Sequence, residues 1–249
     1  MTSTRADHEI AHGQWLAAND AESVWGWGTP AGRRRAERRA AMIAGAARLA
    51  PGVRALEVGC GGGMFTEMFA ATGTTIVAVD ISPELVELAQ RRGLPAERVA
   101  FRCARFEEMD PAEPFDAVVG SSVLHHLEIE DSLRLMRELL RPGGRLVFAE
   151  PNMLNPQVWM ERRFRHWDRF KYVSPDETAF VRATLARQLA AAGFDQIEIT
   201  PHDWLHPSTP RPLIALVAGI GRALEMLPGV RELAGSLLIA ARRPPEPRA

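Results

Sequence analysis

The segment Ala55-Leu-Glu-Val-Gly59-Cys60-Gly61-Gly62-Gly63, followed by Ile76-Val-Ala-Val-Asp80, constrains this chain more than any other feature. One short apolar run leads into glycines at alternate positions, and a second ends in a single carboxylate. Glycine at such a point lets the backbone turn sharply and lets a ligand lie against it without Cβ interference. A helix that follows presents unsatisfied N–H groups and the positive end of its dipole to an anionic group. A carboxylate at the tip of the next strand can accept hydrogen bonds from both hydroxyls of a ribose. The pair asks for a strand–loop–helix–strand unit with a nucleoside-containing ligand at its rim.

The same rhythm continues through the middle of the chain. Strands are expected at 54–58, 75–79, 98–103, 116–120 and 145–149, and helices over 64–71, from Ser82-Pro83 to near Gly93, and over 131–140. Ser82 is a natural N-cap, and Pro83 occupies the first helical position, where its missing N–H costs nothing. A Pro142-Gly143-Gly144 turn precedes the fifth strand. Such alternation through short loops implies a parallel sheet covered on both faces. Residues 1–32 read as an irregular arm. Residues 33–49 read as a helix whose Arg33, Arg34, Arg35, Arg38 and Arg39 form a solvated face opposite Ala40, Ile43, Ala44 and Ala47.

After Pro151 the rhythm breaks. Residues 151–173 are rich in Trp, Phe, Arg and Pro without a clean period. Ser174-Pro-Asp-Glu177 reads as a capping box opening a helix to about Ala192, closed by Gly193. Strands are expected at 196–200 and 236–241, on either side of an insert that carries an apolar stretch from Leu213 to Leu227.

Met64 stands where a dinucleotide fingerprint wants its third glycine. With Glu57 two residues before the loop, the set Gly59-x-Gly61-x-Gly63, Asp80, Phe115-Asp116-Ala-Val-Val-Gly-Ser121-Ser122 and Leu140-Arg-Pro-Gly-Gly-Arg-Leu-Val-Phe-Ala-Glu150 resembles the class I S-adenosylmethionine (SAM) dependent methyltransferases. The resemblance covers roughly residues 50–150, with a weaker match toward the end of the chain. It implies an α/β fold, a doubly wound seven-stranded sheet, mostly parallel with an antiparallel last strand, plus an N-terminal helical arm and cap inserts. The chain then divides into an arm and helix (1–50), a SAM-binding Rossmann-like core (51–150) and a completing segment (151–249), with a cap at 151–173 and an apolar helical insert at 201–232. SAM is the implied cofactor and S-adenosylhomocysteine (SAH) its product. The implied reaction is in-line transfer of the sulfonium methyl to an O, N or C atom; on the acceptor the resemblance is nearly silent, and a small molecule, apolar or lipid-like, is expected over RNA or protein.

Carried residue by residue, the resemblance assigns Glu57, Gly59, Cys60, Gly61 and Gly63 to the loop and the methionine end of the cofactor. Asp80 and Ile81 go to the ribose and adenine, Arg105 and Phe106 to the adenine, and Ser121 to the rim past the fourth strand. Many relatives carry Gly-Asp-Ala where this chain has Ala104, Arg105 and Phe106. Arginine accepts no hydrogen bond but can stack on the base, and Phe106 can offer its backbone N–H. Asp116 reads as structural. His125 and His126, in a Leu-His-His-Leu motif, and Glu150 on the same rim are the candidate catalytic groups, with Glu150 either orienting a substrate hydroxyl or amine or capping a neighbouring segment. Either histidine is a general base or a part of the pocket wall.

Composition sets outer bounds. A net charge of −1 gives no global pull toward nucleic acid. Cys60 and Cys103 fall in the expected core, two strand spacings or about 10 Å apart, too far for a disulfide. The N-terminus lacks an apolar leader and no run approaches a membrane span, so a cytoplasmic protein without an integral membrane segment is expected, monomeric or homodimeric. All six tryptophans and the single tyrosine lie outside the expected core. Trp25, Trp27, Trp159, Trp167 and Tyr172 are therefore assigned to the acceptor, with Arg163 and His166 for an anionic group on it. His202, Asp203 and His206 suggest metal ligands, but Pro201 and Pro207 oppose the helix that would align them, and no metal is expected. The insert's apolar residues recur at helical steps, and the domain's own surface beside the acceptor pocket is their first expected partner. A dimer contact ranks next, and a membrane surface last, because Arg211 and Arg222 supply little charge. Two other functions stay open: a SAM-binding protein without catalysis, and a nicotinamide-dependent oxidoreductase, which Met64 and the antiparallel ending oppose.

Overall fold

Seven strands build one sheet in the order β3-β2-β1-β4-β5-β7-β6. They are β1 (Arg54–Val58), β2 (Thr75–Asp80), β3 (Val99–Cys103), β4 (Phe115–Ser121), β5 (Leu140–Pro151), β6 (Asp195–His202) and β7 (Ser236–Arg242). The computed structural model describes residues 5–109, 113–164 and 179–246. β7 runs antiparallel to both β5 and β6, and the other neighbours are parallel. The chain order reverses between β1 and β4, which opens a crevice at their carboxyl ends.

The central strands are apolar at nearly every position because both faces are covered. The period of two sorts β1: Ala55 packs toward α3 (Pro30–Ala47) and α4 (Met64–Ala70), while Leu56 and Val58 pack toward α6 (Ile129–Leu139) and α8 (Arg182–Ala191). Glu57 falls on the α4 side, directly under the glycine loop. On α6, Leu133, Met136 and Leu139 are fully buried at helical spacing, each stabilising by about 1.5–3 kcal/mol. Ser82 caps α5 (Pro83–Gln90) through Leu85 N–H, as its sequence requires.

Several elements differ from expectation. The N-terminal arm is helical, with α1 (Arg5–Ala18) and α2 (Ala21–Val24). α1 is held by tertiary packing of Leu16 on α5 rather than by its own periodicity. α3 starts at Pro30, with the Thr29 hydroxyl accepting from Gly32 N–H at 3.0 Å. Its face is not wholly solvated: Arg39 shares the buried stripe of Ala36, Ala40, Ile43 and Ala47. β5 pairs with β4 from Leu140 onward, so the Pro142-Gly143-Gly144 turn is a bulge inside a strand. The capping box at 174–177 lies outside the described residues, but α8 begins only at Arg182, because Phe180 forms a bridge with Asn152. Cys103 is exposed while Cys60 is buried, and Trp27 is buried rather than peripheral.

The insert does form a helix, α9 (Ile214–Glu225). Only its small side packs inward: Ile214 joins Ala31 and Leu205, and Gly221 abuts Trp204. Its leucines do not line the cavity described below, so the expected pocket-wall role is corrected.

Candidate active site

A cavity of about 1630 Å³ opens at the carboxyl ends of β1, β2 and β4. A single small ligand takes up roughly 300–1,000 Å³, so the volume admits a cofactor and an acceptor together. Its near wall is the glycine loop. Gly59 and Cys60 donate their N–H groups to Val79 O at 2.9 and 3.0 Å, which folds the loop back over β2. Gly59 adopts φ +69°, and a Cβ there would meet Val123 at 2.4 Å, so only glycine lets this loop touch the one that follows β4.

Asp80 ends β2 at this wall. Its Oδ2 accepts from Gly61 N–H at 2.8 Å and its Oδ1 from Ser82 N–H at 3.0 Å. Each carboxylate oxygen keeps a second acceptor site toward the cavity. Burial pushes its pKa up, against the pull of those two backbone donors. Ile81, Arg105 and Phe106 line the same end. Arg105 is half-exposed, 3.8 Å from a Glu107 carboxylate oxygen, and Phe106 is buried.

Glu57 does not line the cavity. It is buried under the loop with its Oε2 lacking any hydrogen-bond partner. Burial raises its pKa to about 8, with Thr66 opposing the rise and the charge of Asp80 adding to it. The carboxyl is therefore held protonated at neutral pH.

Past β4, Ser121, Ser122 and a 3-10 turn at Leu124–His126 form the far wall. Glu150, expected to face the rim, is turned inward. Its Oε1 accepts from Val123 and Leu124 N–H, both at 2.9 Å, and its Oε2 lies 2.6 Å from His125 Nδ1. Burial raises its pKa, but the charge and hydrogen bond of His125 and the two backbone donors outweigh it and leave the group low. Glu150 thus builds the loop and offers nothing to a substrate. His126 lines the cavity beside His125, with Glu9 of α1 2.9 Å from its Nδ1.

Arg39 reaches this wall from a helix face that the sequence suggests is solvated. From α3 it donates to Ser121 and Ser122 Oγ at 3.2 and 2.9 Å and to Ser236 Oγ at 2.6 Å. Its Nε has no partner. Burial, then the charge of Arg35, lowers its pKa to about 10, so it stays charged at neutral pH. Because guanidinium only donates, both serines spend lone pairs on it and turn their hydroxyl protons elsewhere. The signal was its register: position 39 belongs to the apolar stripe of α3.

Trp25 and Trp27 line the cavity, Trp25 above Gly61 and Trp27 with Arg35 and Arg39 each 5.1 Å from its ring. Trp159 and Arg163 do not; both pack on Phe164. His166, Trp167 and Tyr172 lie outside the described residues. The suspected metal set is dispersed among other partners: Asp203 pairs with Arg35 at 2.8 Å and His206 meets Gln157 at 3.1 Å. Burial, then Arg39, lowers the pKa of His202 to about 4. Among the described residues, no group of three His, Cys, Asp or Glu could hold a metal ion.

Residues 56–148 match the family model described as "Methyltransferase domain". The matched stretch, which carries the glycine loop and Asp80, is similar to that domain. The chain is 40% identical over 114 residues to the ubiquinone biosynthesis O-methyltransferase of Xanthomonas campestris pv. campestris (strain B100), covering 43% of this chain and 47% of that protein. It is 32% identical over 143 residues to the protein of the same name from Bradyrhizobium sp. (strain ORS 278), covering 51% and 54%. The chain spans about half the length of the curated relatives it matches. Among solved structures, N-methyltransferase NodS from Bradyrhizobium japonicum WM9, in complex with SAH, superposes with a TM-score of 0.66 at 20% identity, over 96% of this chain and all of that one. The [4+2]-cyclase SpnF superposes at 0.67 with 22% identity, over 98% of each. At such identities the likeness carries the fold alone, and one fold here serves a methyltransferase and a cyclase. No helix among the described residues is long and apolar enough to cross a membrane.

Proposed function

We propose that the chain methylates a hydroxyl group on a small acceptor with an apolar body, using SAM held in this cavity. One observation carries the reading: Asp80, fixed by two backbone N–H groups at the end of the glycine loop, offers two further acceptor sites to a ribose. The donor set fits the rest of the cofactor. Arg39, acting through the polarised hydroxyls of Ser121 and Ser122, suits the amino-acid carboxylate, and the orphaned Oε2 of Glu57 lies under the loop at the same end. Bound there, SAM supplies an electrophilic methyl on a sulfonium.

The chain's own contribution is alignment and the exclusion of water. Trp25, Trp27, Met160, Leu205 and Pro207 give the remaining cavity apolar walls. His126, steadied by Glu9, is the group to take up the hydroxyl proton, while Glu150 and His125 hold the loop beneath it. The printed names of the relatives support a hydroxyl acceptor. The test is a panel of hydroxylated aromatics of graded tail length with isotope-labelled SAM. Labelled product is expected, with better turnover for apolar members. SAH binding without any turnover across such acceptors would assign the non-catalytic reading instead.

A further inference from the structure

Exposed apolar side chains are gathered on one side of the molecule. α9 presents Leu216, 60% exposed, and Ile220, 51% exposed, with Leu213 and Leu227 beside them. The next turn, Val230–Leu233, adds two more, and α7 (Pro156–Arg163) adds Trp159 and Met160. These elements are joined: Asn155, the N-cap of α7, donates to Leu233 O at 2.8 Å, and Gln157 meets His206. Exposed apolar surface of this extent marks an interaction site in a water-soluble fold.

Arginines rim it. Arg163 ends α7, Arg211 precedes α9 and Arg222 lies within it. The acidic groups on the same segments are engaged, Glu225 with Arg38, Glu232 with Arg182 and Arg231, and Glu161 with the Gln157 amide. Arg211 and Arg222 have no carboxylate partner among the described residues. In sequence the insert carries Arg211, Arg222 and Arg231 against Asp203, Glu225 and Glu232. The fold pairs Glu225 and Glu232 with arginines and leaves Arg211 and Arg222 without a carboxylate partner among the described residues.

We propose that this face docks on a lipid surface bearing anionic head groups, with α9 lying in the interface. Leucines and a tryptophan on one side, rimmed by arginine, are the composition of an interfacial helix. A second copy is the poorer occupant: across a two-fold axis the same arginines would meet one another. The face also adjoins the cavity, since Met160 is both 40% exposed and part of its wall. Docked this way, the protein holds its acceptor opening against the lipid, so the acceptor need not cross water. The docking does not depend on the methyl-transfer reading.

Co-sedimentation with vesicles of phosphatidylcholine alone, or mixed with phosphatidylglycerol, tests the proposal on the full chain. Binding is expected to the mixed vesicles, to weaken as salt rises, and to fall about tenfold or more in the Leu216→Asp/Ile220→Asp variant. Both residues face solvent, so thermal melting and SAH binding of that variant should match wild type. Arg211→Glu/Arg222→Glu should weaken only the anionic-vesicle binding. The proposal is overturned by wild type that binds no vesicle, or by equal binding of the leucine variant. A dimer in sedimentation velocity that this variant dissociates, without vesicle binding, would assign the face to a second copy.

Discussion

Two buried glutamates floor the two walls of the cavity, and they exist in opposite states. Glu150, under the His125 loop, has both oxygens engaged and its charge favoured. Glu57, under the glycine loop, has one oxygen without a partner, and burial raises its pKa to about 8. The same residue type at similar depth thus does two jobs. A carboxylate satisfied by the chain is architecture. One left with an unpartnered oxygen under the glycine loop carries a raised pKa instead.

The largest expected effect comes from Glu150→Ala. It strands two backbone N–H groups and His125 in full burial, and should cost about 3–5 kcal/mol of stability in chemical denaturation. Glu150→Gln should cost less, because its amide oxygen still accepts. A stable Ala variant would break the contrast. Next is Arg39→Leu, which removes the permanent cation behind Ser121 and Ser122. SAH should bind about tenfold or more weakly, while adenosine, which has no carboxylate, should bind as before. Equal loss for both ligands in calorimetry would make Arg39 merely structural.

Over any single pH unit, the smallest effect is the pH dependence of Glu57. Its folded pKa, about 8, is above the unfolded value near 4.5, so between these the folded state holds a proton that the unfolded state has lost. Stability contributed by this group therefore falls as pH rises from about 4.5 to 8, by at most about 1.4 kcal/mol per pH unit. Glu57→Gln should flatten that slope in urea titrations of the ligand-free protein. An unchanged slope would mean that Glu57 is already ionised.

Much of the near wall was legible, because it consists of backbone geometry that the sequence must spell with glycine and of one strand-end carboxylate. Gly59, Gly61, Asp80 and the Ser82 cap all stand where the pattern put them. The far wall was less so, since it depends on side chains meeting across more than 80 residues. Arg39 reaches Ser121 and Ser236, and Glu9 reaches His126, by tertiary contacts that no local period announces. Glu150 was placed on the right strand with two roles open, a substrate contact or a cap on a neighbouring segment, and only the fold shows its oxygens claimed by the next loop. α9 was recognised as a helix from its period, yet its period could not tell which face would find a partner.

The central claim is that the glycine loop and Asp80 form the seat of the cofactor. Calorimetric titration of SAH into the wild-type protein and into Asp80→Ala tests it most directly. The wild type should bind at a single site, and the variant, with its circular dichroism unchanged, should bind about a hundredfold more weakly for the loss of two charge-assisted hydrogen bonds. Equal affinity in a folded Asp80→Ala protein would contradict the claim.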